Sequence, residues 1–342
     1  MGGATLGSAG EKTVPDPAAG GSLPEGHPDG FPRSGVLPAG STGVAVTPIP
    51  MGARQGNRRR TFSLIMSTIG RGPEIGLYLE SLVGQTFQDF EVIVIDQNKD
   101  DRVRSQCERF PGLDILYMNS PAGASKGRNV GLEYACGDII AFPDDDCVYA
   151  PCVLERVKKL IDDGVADFVM ATSVDVPDTS GALREPATPK PSLHVKRLGK
   201  YSLWFRGTTY VVFLTRPFAI KVGAFDERMG GGSGTRYGSG EDADYIVRSC
   251  FAGARMLRSD DVRIHHPSPD YSDSRLAEKT FTYGIGRRLV LEKHKYGPIF
   301  IGLNVLWPVV QYLRNISDSK MRYYYTQMLK GRLQRPAPED VA

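Results

Sequence analysis

The clearest hydrophobic pattern begins at 62–66, FSLIM, a short apolar run bounded by polar residues that reads as a buried strand. From Pro73 onward, Ile75, Leu79, Leu82 and Val83 fall on one face at helical spacing, so a helix is expected to start at the proline and bury that face. The run 92–95, VIVI, is continuous and β-branched, as a strand covered on both sides requires, and it ends in Asp96. A helix over 102–110, a strand over 113–118, a helix over 125–135 and a strand over 139–142 follow. Strands alternating with helices predict a mostly parallel, doubly wound α/β sheet, in which ligands sit beyond the carboxyl ends of the strands.

After residue 150 the pattern is less regular. It predicts a helix over 151–163, strands over 168–173 and 210–214, and a helix over 241–251 that Gly253 stops. Before that last helix lies a glycine-dense loop, MGGGSGTRYGSG, at 229–240. The stretch 299–313, IFIGLNVLWPVVQYL, is apolar but too short to span a bilayer and contains Pro308, so an in-plane or core-packed helix is expected. Residues 1–58 are rich in Gly, Pro, Ala and Ser without sustained periodicity, which predicts a disordered tail. Three parts result: a tail at 1–58, an α/β domain at 59–272, and a helical C-terminal region at 273–342, whose basic charge makes it the expected membrane-proximal part.

Composition sharpens this picture in two places. The chain of 342 residues has the 41% hydrophobic and 24% charged content of a soluble globular protein, and a net charge of +3 gives no reason to expect a nucleic-acid partner. That charge is uneven, because 275–335 holds twelve Lys/Arg against three Asp/Glu. A basic segment mixed with aromatic residues suits an anionic membrane surface, and Arg287, Arg288, Lys293 and Lys295 beside Phe281, Tyr283 and Tyr296 are its expected contacts. Five scattered cysteines form no C-x-x-C pair, and the first 30 residues show no apolar leader core, so a cytoplasmic protein with reduced thiols is expected, able to sit on the inner face of the membrane.

The candidate chemistry lies in three places. CGDIIAFPDDDC ends an apolar strand in Asp144, Asp145 and Asp146, with no cation next to them in sequence. Alternate carboxylates at a strand end are able to converge on a hard cation, Mn²⁺ or Mg²⁺, which prefers oxygen ligands and leaves room for phosphate. GSGEDADYIVRS places Asp242 in the first turn of a helix, which favours an ionised carboxylate suited to general-base work. RIHHPSP puts His265 and His266 at the end of a strand, where neutral imidazole can ligate a metal. Each has a plain alternative: a solvated acidic turn, a stabilised helix start, a packed turn.

Taken in order, STIGR, EVIVIDQ, GASKGRNVGLEYACGDIIAFPDDDC, VGAFDERM and GEDADYIVRSCFAGAR resemble family-2 glycosyltransferases of the GT-A fold over roughly residues 60–270. The resemblance implies a Rossmann-like sheet and inverting transfer of a sugar from a nucleotide-sugar donor to an acceptor hydroxyl. It further implies a glycan or lipid-linked glycan acceptor in cell-surface or exopolysaccharide assembly. By position, Thr68 and Arg71 match the first donor loop, Asp96 the acid that meets the nucleobase, and Lys126, Arg128 and Asn129 the segment lining the nucleotide. Asp144 and Asp146 match the metal pair, Asp145 the neighbour facing ribose or sugar, Asp242 the catalytic base, and His266, with His265 second, a further metal ligand. Glu241 is expected to point away from Asp242 and to matter less. STIGR and IDQNKDD, with Gln97 where a second acid is common, depart from the usual motifs and leave the nucleobase open. Two other readings compete, a metal-dependent nucleotidyltransferase, which needs no base on a distant helix, and a non-catalytic membrane scaffold. GRGPEIG at 70–76 lacks the dinucleotide-binding spacing.

Overall fold

The structure is a computed structural model that describes residues 49–51, 59–175, 195–205, 207–268, 271 and 274–341. Apart from Ile49–Met51, the tail expected over 1–58 lies outside the described residues. Those three form strand β1, paired antiparallel with Ile115, Leu116 and Tyr117 of a later strand, Ile49 opposite Tyr117.

The chain then runs β2 (Arg60–Thr68), α1 (Pro73–Val83), β3 (Phe90–Asp96), α2 (Arg102–Cys107), β4 (Ile115–Asn119), α3 (Ala124–Tyr134) and β5 (Gly137–Ala141). Strands β4, β3, β2 and β5 lie side by side and parallel, the doubly wound half that the pattern predicts. Every residue of β3 is buried, which is why its sequence reads as an unbroken apolar run. Pro73 does open α1, and Ile75, Leu79 and Leu82 are buried, but Val83 in its last turn is 55% exposed. In register, Thr68 lies opposite Asp96 and Asp96 opposite Asn119, so three strands end on one line.

The second half continues with β6 (Val148–Tyr149), α4 (Val153–Asp162), β7 (Phe168–Asp175), β8 (Val195–Arg197), two 3₁₀ turns (Ser202–Phe205, Thr209–Val211) and β9 (Val212–Thr215). Then come α5 (Arg216–Val222), α6 (Glu241–Phe251) and β10 (Met256–His266). Here the sheet is mixed. Strand β9 runs antiparallel to both β5 and β7, whereas β10 is parallel to β7 and antiparallel to β6 and β8. The β6 pairing sets His265 opposite Val148 and so brings the end of β10 beside the acidic loop at 144–146.

Helices α7 (Ser274–Lys293), α8 (Pro298–Arg314), α9 (Ser319–Leu333) and α10 (Pro338–Val341) complete the chain. The interior Pro308 of α8 cannot donate to the carbonyl of Asn304, and Arg332 of α9 fills the gap, its guanidinium 2.5 Å from that oxygen. The expected membrane cations are corrected here. Arg287 donates to Asn304 Oδ1 (2.8 Å) and the Trp204 carbonyl (3.1 Å), Arg288 to Glu292, and Lys293 lies 2.9 Å from both Asp226 and Asp244. Their partners are far away in sequence except for Glu292, so composition alone could not place these groups inside; of the four, Lys295 is the exposed one.

Candidate active site

The acidic cluster follows the end of β5, beside the ends of β2 and β3. The three adjacent carboxylates have no cation beside them in the sequence, and the fold supplies three from other elements. Arg71, in the turn after β2, lies 2.8 Å from Asp146 and 3.5 Å from Asp145. Arg128 reaches Asp144 from α3 at 3.3 Å. His266 arrives at the end of β10, its Nε2 3.2 Å from Asp146 and 3.8 Å from Asp144. Asp145 accepts a hydrogen bond from the Thr68 hydroxyl at 2.6 Å.

These contacts set unequal proton affinities. Desolvation pushes Asp145 up to about 6, against the Thr68 hydrogen bond and the charge of Arg71. Asp144 is also pushed up, first by desolvation, and the negative charges of Asp242 and Asp145 add to it against Arg128 and His266. Asp146 goes the other way: burial opposes its charge, but the hydrogen bond and charge of His266, with Arg71, hold it below the usual carboxylate range.

Asp144, Asp146 and His266 each offer one ligand atom, and these atoms lie within 4.8 Å of one another. His266 Nδ1 is 2.8 Å from the Pro267 carbonyl and its ring stacks on Tyr210 at 4.4 Å, which fixes the ring and leaves Nε2 toward the carboxylates. Two carboxylate oxygens and an imidazole nitrogen suit Mn²⁺ or Mg²⁺, with open positions for phosphate oxygens. His265 stands on the neighbouring position of the strand, whose side chain points to the opposite face, and its buried Nδ1 has no hydrogen-bond partner among the described residues.

Helix α6 starts at Glu241, after Gly240 in a left-handed conformation (φ 109°), so Asp242 falls in the first turn. Its Oδ1 accepts from the Thr209 hydroxyl (2.6 Å) and from Arg128 (2.9 Å). Arg128 therefore bridges Asp242 and Asp144. Burial opposes its charge, but Asp242, Asp144 and Glu241 more than offset this, and the guanidinium sits 5.4 Å over the Phe225 ring. Glu241 does not point away, contrary to the expectation from its helix position. It is 9% exposed, 3.6 Å from Arg128, and burial followed by the charge of Asp242 pushes it up to about 8. It packs under Gly230 (φ 103°), where an added Cβ would come within 2.9 Å of the Glu241 carboxyl carbon.

The remaining expected residues divide. Asp96 is fully buried and accepts from Tyr117 (2.5 Å) and from the backbone and side chain of Asn98 (2.8 Å), so its oxygens brace the turn after β3. Asn129 faces away from the carboxylates and clamps the segment before the glycine loop, bonded to both backbone groups of Phe225 and to Glu227. Lys126 is half-buried with its chain over Gly123, and pairs with no carboxylate among the described residues. Thr209, Tyr210 and Glu241 are additions; the only signal for Glu241 was its place beside Asp242, and nothing local marked the other two.

Comparison with known proteins agrees with this architecture. A family model described as glycosyl transferase family 2 matches residues 63–227. An uncharacterised glycosyltransferase of Haemophilus influenzae is 36% identical over 101 residues, 29% of this chain and 34% of that protein, so the matched part spans about a third of that relative. Glycosyltransferase AglE of Haloferax volcanii is 24% identical over 275 residues, covering 78% of this chain and 84% of the relative. Among solved structures, the mannosyltransferase PcManGT of Pyrobaculum calidifontis, in complex with GDP-Man and Mn²⁺, superposes with a TM-score of 0.50 at 18% identity, covering 82% of this chain and 77% of that one.

Proposed function

We propose that this chain, whose residues 63–227 match the glycosyl transferase family 2 model and whose fold is similar to that of a solved mannosyltransferase, moves a glycosyl group from a nucleoside-diphosphate sugar to an acceptor hydroxyl with inversion. The observation that carries this reading is the Arg128 bridge, which holds a helix-borne carboxylate, Asp242, next to the Asp144–Asp146–His266 cluster. A nucleotidyltransferase has no use for that carboxylate.

In this reading Asp144, Asp146 and His266 hold a divalent cation. When bound, it supplies Lewis-acid stabilisation of the diphosphate as the anomeric bond breaks. Arg71, exposed at the rim, and Lys126 neutralise the phosphates. Asp145, fixed by Thr68, accepts from a donor hydroxyl, while Asp96 shapes the floor under the nucleobase. Asp242 takes the acceptor proton as the hydroxyl oxygen attacks the anomeric carbon. One carboxylate suffices, since the diphosphate leaves without protonation. Thr209 and Arg128 both bind Oδ1, and Oδ2, which accepts no hydrogen bond among the described residues, is left for the proton. The acceptor is a glycan or lipid-linked glycan of cell-surface or exopolysaccharide assembly, reached from the cytoplasmic side of the membrane.

A panel of nucleotide-sugars tested by calorimetry with Mn²⁺ and with EDTA examines this reading. At least one donor is expected to bind only with the cation. Equal affinity in EDTA for every donor would sink the role of the cluster.

A further inference from the structure

Helix α8 has two unlike sides. Toward α7 and α9 it is closed, with Asn304 and Pro308 buried and Phe300 and Ile301 packed on the core. Away from them, Ile299, Leu303, Leu306, Val310 and Leu313 recur at alternating four- and three-residue steps and form one stripe, each 50% to 80% exposed. Trp307 beside the stripe is 41% exposed, and Ile316 just past the helix end is 58% exposed. From Pro298 to Leu313 the helix has no charged side chain. A shallow apolar groove lined by Tyr201, Phe300 and Leu303 opens at its first turn. A helix facing only water would not keep such a face.

The charge around the stripe indicates what covers it. Exposed Lys295 precedes α8, Arg314 ends it, and Lys320, Lys330 and Arg335 are exposed on or beside α9, which packs along it. The one acidic group in this frame, Asp318, is engaged in capping α9. A second copy seated on the stripe would bring like charges together, and a partner helix is usually matched by paired charges of both signs. An anionic lipid surface satisfies both features, apolar depth for the stripe and phosphate for the cations. No helix among the described residues is long and apolar enough to cross a membrane, so the contact lies in the plane of the surface.

We propose that the exposed face of α8 seats in the headgroup region of an anionic lipid bilayer, with Lys295 and Arg314 at its two ends against lipid phosphate. This gives the lipid-linked acceptor of the proposed reaction a surface on this chain. It rests on that reading only for its purpose, since its test involves no sugar transfer and the two fail separately.

The test is co-sedimentation of the full chain with phosphatidylcholine vesicles, with and without phosphatidylglycerol, with Trp307→Phe as the control for a fluorescence blue shift. The chain is expected to bind the phosphatidylglycerol vesicles, less so at high salt. The variant Leu306→Asp/Val310→Asp is expected to bind at least about tenfold more weakly. Both positions are exposed, and an unchanged melting temperature shows that the fold survives. No sedimentation of the wild-type chain with phosphatidylglycerol would overturn the proposal, as would equal binding by the double variant. A double variant that turned a dimer into a monomer on a sizing column while still binding vesicles would assign the stripe to a second copy instead.

Discussion

Arg128 is the residue through which the two halves of the site communicate. It leaves a glycine-rich helix start in the first half of the chain and touches Asp144, Asp242 and Glu241. In Asp242→Asn the shape is kept and the proton acceptor lost, so transfer is expected to fall about 10²- to 10⁴-fold while donor affinity, measured by calorimetry, holds. Near-normal transfer would move the base elsewhere. Thr209→Val removes the hydroxyl bonded to Asp242 without changing volume much, and a hydrogen bond to a charged group of this kind is worth about 1.5–3 kcal/mol, so a drop in kcat of about 10- to 100-fold is expected. The carboxylates of this site were legible because they sit in short local motifs. Thr209 and the Tyr210–His266 stack were not, because each contact joins residues more than thirty positions apart across strands whose order the sequence does not state. Glu241 was misjudged for a different reason: helical spacing gives its direction on α6 but not that the glycine loop closes over that side.

At the scale of elements, α6 is held to α7 through one buried carboxylate. Asp244 is fully buried and meets Arg248 (2.7 Å), Lys293 (2.9 Å) and His294 (2.8 Å). Burial alone would raise its pKa, but the His294 hydrogen bond and the charges of Arg248 and Lys293 outweigh it and bring it to about 2. A depressed carboxylate stabilises the fold above its unfolded pKa near 4, and that contribution disappears as the pH falls through about 2. Asp244→Asn is therefore expected to cost about 2–3 kcal/mol in urea unfolding at pH 7, with the difference shrinking between about pH 4 and pH 2. A cost independent of pH would mean that packing, not ionisation, is what the side chain contributes. Gly286 of α7 faces the loop before α6 so closely that a Cβ would lie 1.9 Å from the Ser239 carbonyl. Gly286→Ala is expected to destabilise by about 1–3 kcal/mol and to lower kcat by displacing the start of α6; full activity in a stable variant would show that the loop yields freely. Most elements were legible from periodicity to within a few residues, since each buries one face. The antiparallel course of β9 was not, because an apolar run carries no direction.

On the scale of the whole molecule, the candidate site gathers at the ends of strands in a mixed sheet, and a basic, apolar-faced group of helices follows it in the chain. The basic excess was legible from composition, but its use was not, because half-buried Arg287 and Lys293 serve the fold while Lys295 and Arg314 remain outside. Deleting residues 1–45, ahead of the Ile49–Met51 strand, is expected to leave turnover within about threefold, as none of the site residues lies there; a large loss in a folded truncation would give that segment a part in catalysis. The central claim is that the Asp144–Asp146–His266 cluster and Asp242 together carry out a single displacement at the anomeric carbon. The most direct measurement is proton NMR of the first-formed glycosidic product, made from a donor of known anomeric configuration with Mn²⁺ present. The account predicts a product of opposite configuration that forms with Mn²⁺ and not in EDTA; a first-formed product that retained the donor's configuration would contradict it.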